Sequence, residues 1–273
     1  MARTMDIDQY RVKPGTKVKL SARDPGDKAA SPGNKEEDAA QLTKLGERLD
    51  QLQDVFYAAH RHKLLVVLQG MDTSGKDGTI RHVFRQVDPL GVRVVSFKAP
   101  TTEELEHDFL WRAHRQVPGK GEIAIFNRSH YEDVLIVRVR NWIDAAECKQ
   151  RFQQINDFER MLAENGTVIV KFFLHISKDE QRKRLQERLD NPDKQWKFNP
   201  GDLAERALWK DYMAAYEDML NHTSTEQAPW FVVPADSKAN RNLVVSRILV
   251  DALERLKLRY PAPAENLSGI VVE

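Results

Sequence analysis

Residues 64–78 read Leu-Leu-Val-Val-Leu-Gln-Gly-Met-Asp-Thr-Ser-Gly-Lys-Asp-Gly, and this stretch decides the fold. The apolar run Leu64 to Gln69 predicts a strand buried on both faces, and a helical pattern begins at Thr79 and Ile80. Between them, Gly70, Gly75 and Lys76 have the spacing of a Walker A loop. In such a loop successive backbone N–H groups surround phosphate oxygens, the lysine adds a mobile positive charge, and the next helix points its positive end at the same anion. Gly70, Thr73, Ser74, Gly75, Lys76, Asp77 and Gly78 are therefore expected to touch phosphate.

Two residues depart from the ordinary loop. Asp77 stands where Ser or Thr would bind magnesium. Asp72 puts an acid inside an anion cradle, which is costly unless a cation shares the site, so Asp72 is expected either to bind a metal or to position the phosphate acceptor.

Outward from the loop, four more apolar segments recur at Val92–Phe97, Glu122–Asn127, Thr167–Leu174 and Trp230–Pro234, separated by stretches with helical spacing. Strands alternating with helices predict an α/β fold of the P-loop kinase type, a doubly wound, five-stranded parallel sheet with helices on both faces. Upstream, Leu42, Leu45, Leu49, Leu52 and Phe56 recur as one face of an amphipathic helix. Residues 1–35 read as an irregular arm whose Lys13, Lys17 and Lys19 either touch a polyanion or keep the arm hydrated. The main domain is expected over residues 36–273. A helical lid of about 177–220 is inserted in it, built from helices Lys178–Leu189 and Asp202–Leu220.

The third strand runs from Asn127 into Arg128-Ser129-His130-Tyr131-Glu132-Asp133. A Walker B element would end its strand on an acid. Asn127 departs from that, leaving Glu132 or Asp133 to act and Arg128 to offset charge on a moving phosphoryl group. Taken singly, Asn127 and Ser129 suit a turn, His130 a surface or capping position and Tyr131 packing. Together, at the carboxyl end of a parallel strand, they predict part of a site. Trp111 is expected in the core. Lys238 and Arg241 are expected near a nucleobase, and Asp236 either beside them or capping the last helix.

Lys and Arg number 42 against 41 Asp and Glu, a net charge of +1, so neither nucleic acid nor a membrane surface is an expected partner and any anion site must be a local patch. Hydrophobic residues at 41% suit a globular chain, and no apolar run approaches the roughly 20 residues of a membrane helix. Met1–Tyr10 lacks the features of a leader peptide, and Cys148 is the single cysteine, so a reducing cytoplasm is expected.

The stretches GMDTSGKDG (70–78), FKAPTTEELEHDFLWR (97–112), IFNRSHYEDV (125–134) and RLQERLDNPDKQWKF within Arg182–Phe198 closely resemble the polyphosphate kinase 2 family. The resemblance implies reversible phosphoryl transfer between inorganic polyphosphate and a nucleotide, with magnesium or manganese, in a homo-oligomer (dimer or tetramer). It implies catalytic roles for Asp72, Lys76, Arg128 and Arg188, and substrate contacts from Asn127, Glu132, Lys98, Arg182 and Lys194. The metal ligands expected from the two acidic positions are Asp72 and Asp133. Asn-Arg-Ser-His-Tyr-Glu at 127–132 resembles the class accepting both mono- and diphosphates, AMP and ADP, with GMP and GDP as further candidates. The rivals are an ATP-dependent, thymidylate-like nucleoside monophosphate kinase and a non-catalytic sensor of nucleotide or polyphosphate.

Overall fold

The apolar segments become five strands: β1 (Lys63–Gln69), β2 (Val92–Ser96), β3 (Ile123–Asn127), β4 (Thr167–His175) and β5 (Trp230–Pro234). The computed structural model describes residues 5–263, 265, 267 and 270–272. The strands pair in parallel throughout, in the order β2-β3-β1-β4-β5. β1 is central, and Leu64 to Gln69 are all buried, as a parallel strand covered on both faces requires.

The helices, in chain order, are α1 (Lys35–Ala59), α2 (Lys76–Val83), α3 (Thr102–Leu105), α4 (Trp111–His114), α5 (Ile136–Val139), α6 (Ala145–Glu164), α7 (Lys178–Asp190), α8 (Pro192–Gln195), α9 (Gly201–Ala207), α10 (Trp209–Thr223) and α11 (Lys238–Glu254). α1, α2 and α11 pack into one layer, and α5, α6 and α10 into the other. No helix among the described residues is long and apolar enough to cross a membrane.

Register positions the site. Leu68 of β1 lies opposite Asn127 of β3, so the segments after these two strands leave the same edge of the sheet side by side. Ser96, the last residue of β2, also lies opposite Asn127. The carboxyl edge of the sheet is where open α/β folds bind ligands.

The structure differs from the sequence reading in several places. The expected helix Asp202–Leu220 is two, broken at Leu208, whose backbone (φ −87°, ψ 22°) leaves the helical region. Leu208 and Trp209 pack against the core, and Tyr212, Tyr216 and Met219 belong to it, so α10 is part of the body rather than of a lid. The arm is irregular but docked: Tyr10, Val12, Val18 and Leu20 are buried, and the Val12 N–H donates to the Trp230 carbonyl at 2.8 Å. It thereby covers the edge strand β5. Residues 1–4 at its start lie outside the described residues. Trp111 is half-buried and stacks on His107 instead of entering the core. The cap of α11 is Ser237, while Asp236 accepts from the Ser177 N–H at 2.8 Å and ties the start of α7 to the end of β5.

His130 and Tyr131 are fully buried, contrary to a surface role for His130. Behind them Lys171, in the middle of β4, donates to Tyr131 Oη (2.7 Å), Glu159 Oε2 (2.5 Å) and the Thr223 carbonyl (2.7 Å). Tyr131 Oη in turn donates to Glu159 Oε1 at 2.7 Å. A buried charge needs such partners. This knot fixes the segment that carries Arg128 and Glu132.

Candidate active site

The loop after β1 closes as the glycine spacing predicts. Gly70 has φ 148° and Gly75 φ 105°, both in the region that favours glycine, and a Cβ on Gly70 would stand 2.8 Å from the Leu174 carbonyl oxygen. Thr73 is held at φ 64° and Arg128, on the facing segment, at φ 60°. Non-glycine residues in this conformation cluster at functional sites, where the surrounding contacts hold them.

Lys76 begins α2 and is buried, its Nζ reaching back to the carbonyls of Gly70 (2.7 Å) and Met71 (3.3 Å). Burial, with Arg128 beside it, pulls its pKa down to about 8 against the opposing pull of Asp72, Glu132 and Asp77. Asp72 pairs with Arg128, Oδ1 to Nη2 at 2.5 Å. Arg128 also lies 3.6 Å from Glu132. Burial works against the Arg128 charge, but Glu132 and Asp72 outweigh it and hold its pKa above the usual value. Burial raises the Glu132 pKa in spite of Arg128 and Lys76. The Gln69 amide nitrogen donates to Glu132 Oε1 at 3.0 Å, and its oxygen accepts from Ser129 Oγ at 3.1 Å.

The two residues that depart from the ordinary motifs meet each other: Asn127 Nδ2 donates to Asp77 Oδ1 at 2.7 Å. The cavity around them, ≈ 410 Å³, is lined by Asp72, Thr73, Gly75–Gly78 and Asn127. Across it stand the cations Lys76, Arg128, Arg184, Arg188, Lys194, Lys197 and Lys238, with Asp72, Asp77 and Glu187 as the acids. A chain of nearly zero net charge has thus concentrated its cations where a polyanion would bind.

Most of the expected site residues converge here. Ser74 is buried within the loop, and Gly70 and Glu132 line a small recess on the other side of Asp72. Three residues do not join them. Asp133 turns into a larger, separate cavity (≈ 1090 Å³) between α3–α4 and α6, where Arg112 Nη2 donates to it at 3.1 Å. Arg182 lies on the other side of α7, against Asp179 and Gln186. Lys98 is exposed one residue beyond the cavity wall at Phe97, and only its carbonyl is engaged, by Arg112.

The sequence reading missed Arg184, Lys197 and Asp202 as site residues. Arg184 lies four residues before Arg188, hence on the same helix face, whereas Arg182 does not. Asp202, at the start of α9, sits 3.4 Å from Arg188, and burial, with Asp72 nearby, pushes its pKa up to about 6. Arg188 also donates to the Lys197 carbonyl at 3.2 Å, which ties α7 to the α8–α9 segment.

Among the described residues no cluster of three or more acidic, histidine or cysteine side chains could enclose a metal ion. Mg²⁺ does not need one, because it usually takes one or two carboxylates plus substrate phosphates and keeps several waters. Asp72, part-exposed in the cavity, fits that use; Asp133, held by Arg112 elsewhere, does not.

A family model described as polyphosphate kinase 2 matches residues 33–261. The chain is similar to an AMP/ADP-polyphosphate phosphotransferase of Meiothermus ruber, 56% identical over 267 residues that cover 98% of this chain and 100% of the other. It is similar also to an ADP-polyphosphate phosphotransferase of Rhodopseudomonas palustris, 47% identical over 265 residues that cover 93% and 91%. A crystal structure of polyphosphate kinase 2 from Arthrobacter aurescens TC1 superposes with a TM-score of 0.92 at 48% identity, covering 96% of this chain and 93% of that one.

Proposed function

The chain belongs to the polyphosphate kinase 2 family, and from that premise we propose that its phosphate-loop cavity passes phosphoryl groups in line between inorganic polyphosphate and both AMP and ADP. It is a polyphosphate-dependent nucleotide phosphotransferase. The observation that carries the site assignment is the Asp72–Arg128 pair, held at 2.5 Å beside Lys76. It sets one acid and two cations at the point where charge moves between donor and acceptor.

In this reading the loop amides and Lys76 hold phosphate oxygens, and Lys76 exchanges the Gly70 and Met71 carbonyls for substrate. Arg128 and Arg188 both line the cavity and offset charge on the transferring group. Glu132 and Asp72 hold Arg128 in place until substrate oxygens compete for it. Positioning and electrostatics of this kind supply most of the rate in phosphoryl transfer, and no phosphoenzyme is needed. We assign Mg²⁺ to Asp72, whose carboxylate would hold the ion; when bound, it would supply positive charge to offset that of the phosphates. Arg188 on α7, Lys194 on α8 and Lys197 just after it bring three cations to the cavity within ten residues, which supports closure over a polyanion.

The same reading takes the protein as a cytoplasmic homo-oligomer. Buried, unpaired Cys148 supports the first part, and the exposed Leu90 and Val94 at the free β2 edge support the second. The acceptor range is tested by offering AMP, ADP, GMP and GDP separately with polyphosphate and Mg²⁺ and separating the products. Phosphorylation of ADP but not AMP would overturn the dual-acceptor reading.

A further inference from the structure

Beneath the phosphate loop lie two buried guanidinium groups. Arg184, from α7, donates through Nη1 to the carbonyls of Thr73 (3.0 Å) and Ser74 (3.3 Å), and through Nη2 to those of Ala235 and Asp236 (2.8 Å each). Its charge is matched by Glu180, 2.8 Å away. Arg241, from the first turn of α11, is 2% exposed and donates through Nη1 to the same Ser74 carbonyl at 3.3 Å. It lies so close under the loop that a Cβ on Gly75 would stand 1.9 Å from its Nη1, and one on Gly78 3.4 Å from its Nη2.

Arg241 differs from Arg184 in one respect. Its Nε and Nη2 both donate to the amide oxygen of Asn242, at 3.1 and 2.9 Å, and among the described residues no carboxylate comes within ion-pair distance of it. Burial, together with the neighbouring Arg184, lowers its pKa to about 9. A guanidinium stays protonated in proteins, so the charge is carried at a cost rather than lost. An amide has been placed where a carboxylate would have neutralised it.

We propose that Arg241 is a positioning residue for phosphate, a buried cation left without a counter-ion in the free protein and completed by the anion that enters the loop above it. It works through the loop: it fixes the Ser74 carbonyl and the Gly75 turn, and its uncompensated charge adds to the positive potential felt in the cradle. The ligand-free protein is less stable for it, and the polyanion removes that penalty on binding. This rests on the loop being the phosphate site.

The test uses tripolyphosphate as the probe, with calorimetric affinity and thermal unfolding of the full chain. Asn242→Asp supplies the missing carboxylate while leaving Arg241 and its geometry in place. The expected result is tripolyphosphate binding weaker on the order of tenfold, the scale of one charge acting across a few bond lengths at a partly screened site, with a ligand-free melting temperature at or above that of wild type. Arg241→Gln weakens binding to a similar extent, and Arg241→Lys restores it to within about threefold of wild type. Wild-type affinity in Asn242→Asp or Arg241→Gln overturns the proposal, as does Arg241→Lys binding no better than Arg241→Gln. Wild-type binding that is insensitive to Lys76→Ala, or no binding at all, fails the loop assignment itself and the proposal with it.

Discussion

Asn127 and Asp77 are hydrogen-bonded to each other, Nδ2 to Oδ1 at 2.7 Å. Each occupies a position where the ordinary phosphate-loop enzyme has a different residue, and the structure shows that the two replacements form one unit. An acid at 127 would face an acid at 77. Asn127→Asp is therefore expected to lower kcat/KM at least ~10-fold through like-charge repulsion beside the phosphate site, with the double variant Asp77→Asn/Asn127→Asp recovering a large part of the loss. Steady-state kinetics on the three variants measure the coupling.

Arg128 works as a fork between Asp72 and Glu132. Lysine keeps the charge but cannot span both partners. Arg128→Lys is expected to reduce kcat by about 10²-fold with KM for ADP little changed, the pattern of a contact made chiefly in the transition state. A rise in KM at unchanged kcat would assign Arg128 to ground-state binding instead.

The pKa of Lys76, brought down to about 8, gives a pH signature. In the proposed mechanism the charged lysine holds phosphate, so kcat/KM for polyphosphate should fall as pH rises through about 8, and Lys76→Arg should remove that limb even where it lowers the rate. Stability moves the opposite way. The unfolded chain binds the lysine proton up to about 10.4, so between about 8 and 10.4 it holds more protons than the folded chain, and stability rises with pH. Unfolding of wild type relative to Lys76→Met, followed across that range, checks the sign.

On α7, Arg188→Ala is expected to raise KM for polyphosphate several-fold and to lower kcat. Arg182→Ala, on a face turned away from the cavity, should leave both within about twofold. Equal effects from the two substitutions would contradict the placement of the helix.

The knot of Lys171, Glu159 and Tyr131 predicts an asymmetry in stability. Glu159→Ala leaves a fully buried ammonium without its acid and should cost about 3–5 kcal/mol. Lys171→Met combined with Glu159→Gln removes both charges and should cost less than either single change. Urea unfolding of the single and double variants reads this directly.

The strands were legible because a covered parallel sheet needs continuous apolar runs, and the loop because its glycines sit where only glycine fits closely. Lys171 shows the limit: within Thr-Val-Ile-Val-Lys-Phe-Phe-Leu-His nothing local says that Glu159, on the preceding helix α6, will neutralise it. The break at Leu208 was hidden for a related reason. The stretch 202–220 contains no helix breaker, and the bend follows from the docking of Leu208 and Trp209 on the body. Asp133 was misplaced because adjacent residues in a tight helical turn point in different directions, and charge alone does not tell Glu132, facing Arg128, from Asp133, facing Arg112. Arg184 was within reach: Arg188 fixes the helix face, and four residues back along it lies Arg184.

The central claim is that this cavity moves phosphate from polyphosphate to a nucleotide, and ³¹P NMR of the purified protein with ADP, polyphosphate and Mg²⁺, in the absence of ATP, tests it most directly. The account predicts that ATP γ-phosphate appears as internal polyphosphate signal is lost in equal measure, and that Asp72→Asn abolishes the exchange while still binding tripolyphosphate. ATP formation that does not depend on polyphosphate, or an Asp72→Asn protein as active as wild type, would contradict it.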